Sequence, residues 1–233
     1  MLGRPEVAMK TTALIRAALG LTACLCAAPA AAVCMRPIQK PCSLYFKSDA
    51  VFVANVVGRR LVEDSNYERF DLRVSQVLRG SVQRSSPVFV GNDTGRLFWE
   101  PGKTYVVFAR RVNGRLEATD GCGLLSDPGK APDFLQQIRV VQRSRLSVIE
   151  GEILQRPPEG PGLEGVEVRA VGASREYRGK SDKKGHFRIQ VPPGRYDVIV
   201  NPAVAVPSGY NWGDVSGFEL QRGQCMQIQF GAR

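Results

Sequence analysis

At 233 residues, with 43% hydrophobic and 23% charged side chains, the chain has enough apolar material for a buried core and is no disordered polymer. A single histidine excludes most acid–base and triad chemistries, which need a positioned base beside a nucleophile. The formal charge of +10 bears on association with anionic partners and not on fold.

Basic residues up to Arg16 precede an apolar run, Ala17–Ala28, and then Pro29-Ala30-Ala31-Ala32. A charged segment, a short apolar segment and a small-residue site predict a signal peptide over residues 1–32, cleaved after Ala32. The run is too short for a spanning helix, so no transmembrane segment is expected. Met9-Lys10 is an alternative start to Met1. A competing reading is lipid anchoring at Cys24, because Leu21-Thr22-Ala23-Cys24 resembles a lipobox; only seven residues separate Arg16 from Cys24, which favours plain secretion. The expected location is therefore secreted or periplasmic. Residues 33–233 keep 29 basic and 21 acidic side chains.

Four cysteines follow the signal: Cys34, Cys42, Cys122 and Cys225. An even number in an exported chain favours disulfides, and four cysteines leave three connectivities open. Residues 33–233 contain no Cys-x-x-Cys pair, and the one histidine, His186, falls on an expected strand, so neither a metal nor another cofactor is expected.

The next elements are short strands. Ser48–Gly58 carries the apolar run Ala50-Val51-Phe52-Val53-Ala54, and in Glu68–Gly80 Phe70, Leu72 and Val74 alternate with Arg69, Asp71 and Arg73. Val88–Val90 and Lys103–Arg110 follow. Asn113-Gly114 is a strong type I′ hairpin signal before a return strand from Arg115 through Ala118 toward Cys122. Five short strands at this spacing predict a small closed or partly closed barrel. Beyond them, Phe134, Ile138 and Val141 share one helical face after Pro132-Asp133, predicting a short amphipathic helix that packs on its own barrel.

From residue 146 the pattern is again β. In Ser181–Val200 an Asp-x-x-Gly turn precedes a strand with Phe187, Ile189 and Val191 on one face and His186, Arg188 and Gln190 on the other. A Pro192-Pro193-Gly194 reversal leads to a second strand with Tyr196, Val198 and Val200 inward. With Ile149-x-Gly151-x-Ile153, Gly165-Val166-x-Val168 and Gly223-Gln224-Cys225-x-Gln227-Ile228-x-Phe230, this segment resembles the carboxypeptidase regulatory-like module, a β-sandwich of the transthyretin type that is usually a non-catalytic accessory domain. Residues 34–127 resemble the netrin-like domain, including the N-terminal domain of tissue inhibitors of metalloproteinases. That likeness rests on an N-terminal cysteine, Ser48-Asp-Ala-Val-Phe-Val53, Val74-x-x-Val-Leu-Arg-Gly80, Gly102-Lys-x-Tyr-Val-Val-Phe108 and the late Cys122. The expected architecture is mostly β: an OB-type five-stranded barrel with a short helix over 33–145, followed by a β-sandwich over 146–233.

The barrel resemblance implies a Cys34–Cys122 bridge holding the N-terminal segment on the barrel, which leaves Cys42 and Cys225 to pair across the module boundary. It also implies a partner-binding edge where Cys34 meets the loop of Phe98 and Trp99. In the inhibitors of that family a cysteine at the mature N-terminus meets the protease zinc. Here Val33 precedes Cys34 and the Cys-x-Cys opening is missing.

No Gly-x-Ser-x-Gly, His-Glu-x-x-His or phosphate-cradling glycine loop occurs. Glu150, Glu152 and Asp182 are read as lone carboxylates, Asp182 as a turn residue. Asn92-Asp93-Thr94 is read as a chance glycosylation match. Tyr210-Asn211-Trp212 is a second loop-aromatic candidate. The strands lack the repeated aromatic–basic alternation of a single-strand binder, so no nucleic-acid partner is expected. The expectation is a non-enzymatic accessory protein of the cell envelope or exterior that binds an extracytoplasmic protein or a glycan. The alternative is a metalloprotease inhibitor acting through its N-terminal cysteine segment.

Overall fold

Pro41 suits the first turn of a helix, where its missing N–H has no partner to lose, and α1 runs Pro41–Lys47. The computed structural model that shows this describes residues 39–63, 66–92, 97–119, 127–158, 160–201, 203–209 and 215–233. The expected signal peptide, Cys24, Cys34, Cys122, Asp93-Thr94 and the Tyr210–Trp212 segment lie outside the described residues, as does the Cys34–Cys122 pairing.

After α1 the chain forms β1 (Ala50–Leu61), β2 (Tyr67–Arg79), β3 (Ser85–Gly91), β4 (Thr104–Val112) and β5 (Arg115–Ala118). They close into a barrel in the order β1-β2-β3-β5-β4, with β3 and β5 parallel and the other pairs antiparallel. Asn113 and Gly114 both have positive φ, 49° and 81°, as a type I′ turn between β4 and β5 requires. β1 runs past Gly58 because Arg59, Arg60 and Leu61 stay paired with Phe70, Arg69 and Glu68 beyond a register shift near Gly58.

The helix α2 (Ala131–Arg143) buries the expected stripe Phe134, Ile138 and Val141. α1 and α2 pack on the outside of the barrel, which explains why Ala50–Ala54 and Tyr105–Ala109 are buried throughout instead of alternating. Leu44 and Tyr45 of α1 join the same core. That helix was not expected from the sequence.

A second core begins at Ile149. β6 (Ser147–Leu154), β9 (His186–Val191), β11 (Ala205–Pro207) and β13 (Cys225–Ala232) form one sheet in the order β11-β13-β6-β9, with β13 and β6 parallel. β7 (Glu167–Gly172), β8 (Glu176–Lys180), β10 (Gly194–Val200) and β12 (Phe218–Leu220) form the other, in the order β12-β10-β7-β8. Phe187, Ile189, Val191, Tyr196, Val198 and Val200 all point into the space between the sheets, making a sandwich. The turn before β9 is built as its residues suggested. The Asp182 carboxylate accepts from the backbone N–H of Lys184 (2.8 Å) and His186 (2.9 Å), and Gly185 has φ +79°. Those bonds hold the Asp182 carboxyl below its ordinary range, the bond from His186 first.

Trp99 corrects a sequence expectation. The barrel resemblance implies a place for it on a partner-binding edge, yet it is 1% exposed, packed edge-on to Phe70 (ring centroids 5.3 Å) and against Tyr105 (5.7 Å). An indole buries more apolar area than almost any other side chain, so at a barrel end it becomes core. The backbone N–H of Glu100 donates to the Tyr105 hydroxyl (3.0 Å), pinning the same loop. Its neighbour Phe98 is 51% exposed.

Candidate functional site

Alternation in three strands of the first sheet sends every second side chain away from the sandwich core. The registers Val148↔Gln190, Glu150↔Arg188 and Glu152↔His186 join β6 to β9. The registers Cys225↔Val148, Gln227↔Glu150 and Gln229↔Glu152 join β13 to β6. The outer face therefore carries three cross-strand rows: Gln190–Val148–Cys225, Arg188–Glu150–Gln227 and His186–Glu152–Gln229. Gly151, on the inner face between the two glutamates, leaves room for the sandwich to close. A Cβ there would meet the Ile228 carbonyl oxygen at 1.7 Å and Phe187 at 3.0 Å.

An outer sheet face is usually wet, yet Glu150, Gln227 and Gln229 are buried. The segment leading into α1 covers the middle row. Lys40 donates its backbone N–H to Gln227 Oε1 (2.6 Å) and its ammonium to Glu150 Oε1 (2.7 Å), while Arg188 reaches Glu150 Oε2 (3.4 Å). Glu150 thus meets a cation on each carboxylate oxygen, the condition under which a buried charge persists. In the lower row Gln229 donates to Glu152 (2.8 Å) and accepts from the Ser208 hydroxyl (3.0 Å).

One residue along α1, Cys42 is bonded to Cys225, with Cα atoms 5.5 Å apart. Of the pairs those four cysteines could make, the structure contains Cys42–Cys225, across the barrel–sandwich joint. A second close contact sits beside it. Gly223, in the turn before β13, lies against the end of α2 so tightly that a Cβ would stand 2.2 Å from the Val141 carbonyl oxygen. The bridge, the Lys40 pairings and this contact hold barrel and sandwich together.

Two hollows flank Lys40. One, of about 470 Å³, opens over the lower rows and is lined by Glu152, Asp182, His186 and Arg188. The other, of about 610 Å³, lies between α2 and the sheet, lined by Gln136, Gln137, Val140, Leu146, Gln190 and the disulfide. Both share Lys40, Glu150 and Arg188, so they form one groove with a charged half and an apolar half. Val140 (62% exposed) and Leu146 (42%) supply the apolar half.

Chemically the groove offers amide donors and acceptors, paired charges and aliphatic surface. His186 stands 3.9 Å from Glu152 and 3.9 Å from Asp182, beyond hydrogen-bond distance of either. The Cys42 and Cys225 sulfurs and the Glu150 carboxylate lie within 4.8 Å of one another, the one such grouping among the described residues. Sulfurs joined in a disulfide are not thiolates, and both Glu150 oxygens already face cations, so this trio does not fit a metal ion.

Of the sequence-derived site residues, the structure brings Cys42 and Cys225 together here and leaves Phe98 elsewhere, on the barrel loop, with Trp99 in the core. Cys34, the third partner-binding candidate, lies outside the described residues. Sequence reasoning missed Lys40, Val140 and Leu146 entirely and treated Glu150 and Glu152 as lone carboxylates. Alternation around Ile149, Gly151 and Ile153 was the available signal, since it forces both glutamates onto one outer face. No protein-family model matches the chain, and no curated protein matches it.

Proposed function

We propose that this is an exported, non-catalytic binding protein that takes a segment of an extracytoplasmic protein into the groove between α2 and the sandwich. The observation that carries the reading is the groove's apolar half, where Val140 and Leu146 stand exposed beside a covalently fixed wall. Aliphatic side chains beside Gln136, Gln137 and Gln190 suit a polypeptide, whose side chains need apolar contact and whose backbone needs amide partners. A glycan site would present exposed aromatic faces for stacking, whereas Phe187, the one phenyl ring among the groove's described lining residues, is buried in the sandwich core. Rigid walls reduce the ordering cost of binding, which favours a pre-formed site. The accessory character of the families that the two modules resemble points the same way. So does the disulfide, which suits an oxidising compartment; no helix among the described residues is long and apolar enough to cross a membrane.

The test compares wild type with Val140→Asp and Leu146→Asp as baits against envelope extract and culture fluid. The expected result is one protein captured by wild type and lost in both variants at unchanged melting temperature, since both positions are exposed. Capture unaffected by either charge would contradict the reading.

A further inference from the structure

The two lower rows of the groove treat their charges differently. In the middle row Glu150 holds Lys40 on one carboxylate oxygen and Arg188 on the other, so those cations already have their anion. In the row below, His186 stands between two carboxylates. Its Nε2 is 3.9 Å from Glu152 Oε2 and its Nδ1 is 3.9 Å from Asp182 Oδ2. All three residues line the same hollow, and the His186 side chain is 57% exposed to it and to solvent.

The fold uses one oxygen of each of these carboxylates. Glu152 accepts from Gln229 through Oε1, which ties β6 to β13. Asp182 accepts from the Lys184 and His186 N–H groups through Oδ1, which builds the turn before β9. Among the described residues nothing lies within hydrogen-bond distance of the second oxygen of either. The Glu152 side chain is only 20% exposed, and a carboxylate drawn that far out of water gains from a cation on its second oxygen, as Glu150 does one row up.

A divalent ion needs ligand atoms that converge on one point. Here the two oxygens face opposite nitrogens of one ring, so they suit a cation of greater span on a flexible stem. Val148, under the apolar hollow, and Glu152, under the charged one, are four residues apart on β6. At about 3.3 Å per residue the separation is about 13 Å, which an extended segment crossing both hollows covers in about four residues of its own.

Resting on the groove as a polypeptide site, we propose that the segment it takes carries an arginine or lysine about four positions from the aliphatic side chain that meets Val140 and Leu146. The aliphatic residue supplies contact area. The basic residue, seated between Glu152 and Asp182 against the His186 ring, sets the register. An acidic residue at that position would face both carboxylates and be rejected.

The test selects phage-displayed random dodecapeptides on the immobilised full-length protein and measures the recovered peptides by fluorescence anisotropy. The expected consensus is an aliphatic residue and an arginine or lysine separated by about four positions. Glu152→Gln and Asp182→Asn should each weaken the selected peptide about tenfold or more, the size expected for losing a charged hydrogen bond. Both variants keep the acceptor oxygen that the fold uses. Glu219→Gln, in β12 on the other sheet, should change nothing. Replacing the peptide's basic residue with glutamine should cost as much in wild type and little in Glu152→Gln, because the two changes remove one interaction. Peptides that fail on Leu146→Asp but share no basic residue, or that bind Glu152→Gln and Asp182→Asn as well as wild type, overturn the basic register and leave the groove standing. Peptides indifferent to Leu146→Asp, or no enrichment at all, overturn both.

Discussion

The clearest contrast at the residue scale is between two neighbours, Phe98 and Trp99. Trp99 is sealed against Phe70 and Tyr105, so Trp99→Ala should cost about 3–5 kcal/mol, as buried aromatic truncations do. Phe98→Ala, half-exposed on the same loop, should stay within about 0.5–1 kcal/mol. Denaturant melts of the two variants decide it, and similar losses would place Phe98 in the core as well. Nothing local in the sequence separates these two rings, because which one faces inward depends on how the barrel end closes. A second residue-scale consequence concerns acid. Asp197 accepts from the Ser216 hydroxyl (2.6 Å) and the Gly217 N–H (2.6 Å), which hold its carboxyl below its ordinary value of 3.8. Asp182 is held down by the backbone bonds of its own turn. A carboxyl with a depressed folded pKa adds stability that is full above its ordinary value and is lost as pH falls through the lower folded one. Stability should therefore fall more steeply with acid below about pH 4 in wild type than in the double variant Asp182→Asn, Asp197→Asn. Parallel pH profiles of unfolding free energy would refute the assignment.

Elements were legible wherever one face is buried and the other wet. The Phe187-x-Ile189-x-Val191 and Tyr196-x-Val198-x-Val200 strands, the α2 stripe and the Asn113-Gly114 turn all follow from periodicity or turn chemistry that a local window contains. α1 was not legible, because seven residues hold less than two full helical turns and its apolar side chains meet a barrel built later in the chain. The short strands β8, β11 and β12 escaped for a similar reason: each exists by pairing with a longer neighbour. The strand register has a direct test. Phe187→Ala should lose about 3–5 kcal/mol, since the ring packs toward Phe230 with centroids 6.2 Å apart. Arg188→Ala, on the opposite face, should cost about 1 kcal/mol or less, since its side chain is mostly exposed and its pairing with Glu150 is long. Equal losses would mean the strand is turned over.

For the whole molecule, the groove depends on which strands become neighbours, and that is why the sequence did not disclose it. Glu150, Arg188 and Gln227 form one row only because β13 returns parallel to β6 while β9 pairs on its other side. The Cys42–Cys225 bridge closes a loop of 183 residues, so the double variant Cys42→Ser, Cys225→Ser should lose about 2–5 kcal/mol in denaturant melts. An unchanged midpoint would mean that the noncovalent joint alone holds the two halves. The central claim is that the space between α2 and the sandwich is a protein-binding groove. A benzophenone amino acid put in place of Val140 on the helix wall, or of Gln190 on the sheet wall, should cross-link the same extracytoplasmic protein. The same probe replacing Ile199, on the sandwich's other sheet, should not, and excess unlabelled wild type should compete the adducts away. Adducts that differ between the two walls, or that form equally well from position 199, would contradict the claim.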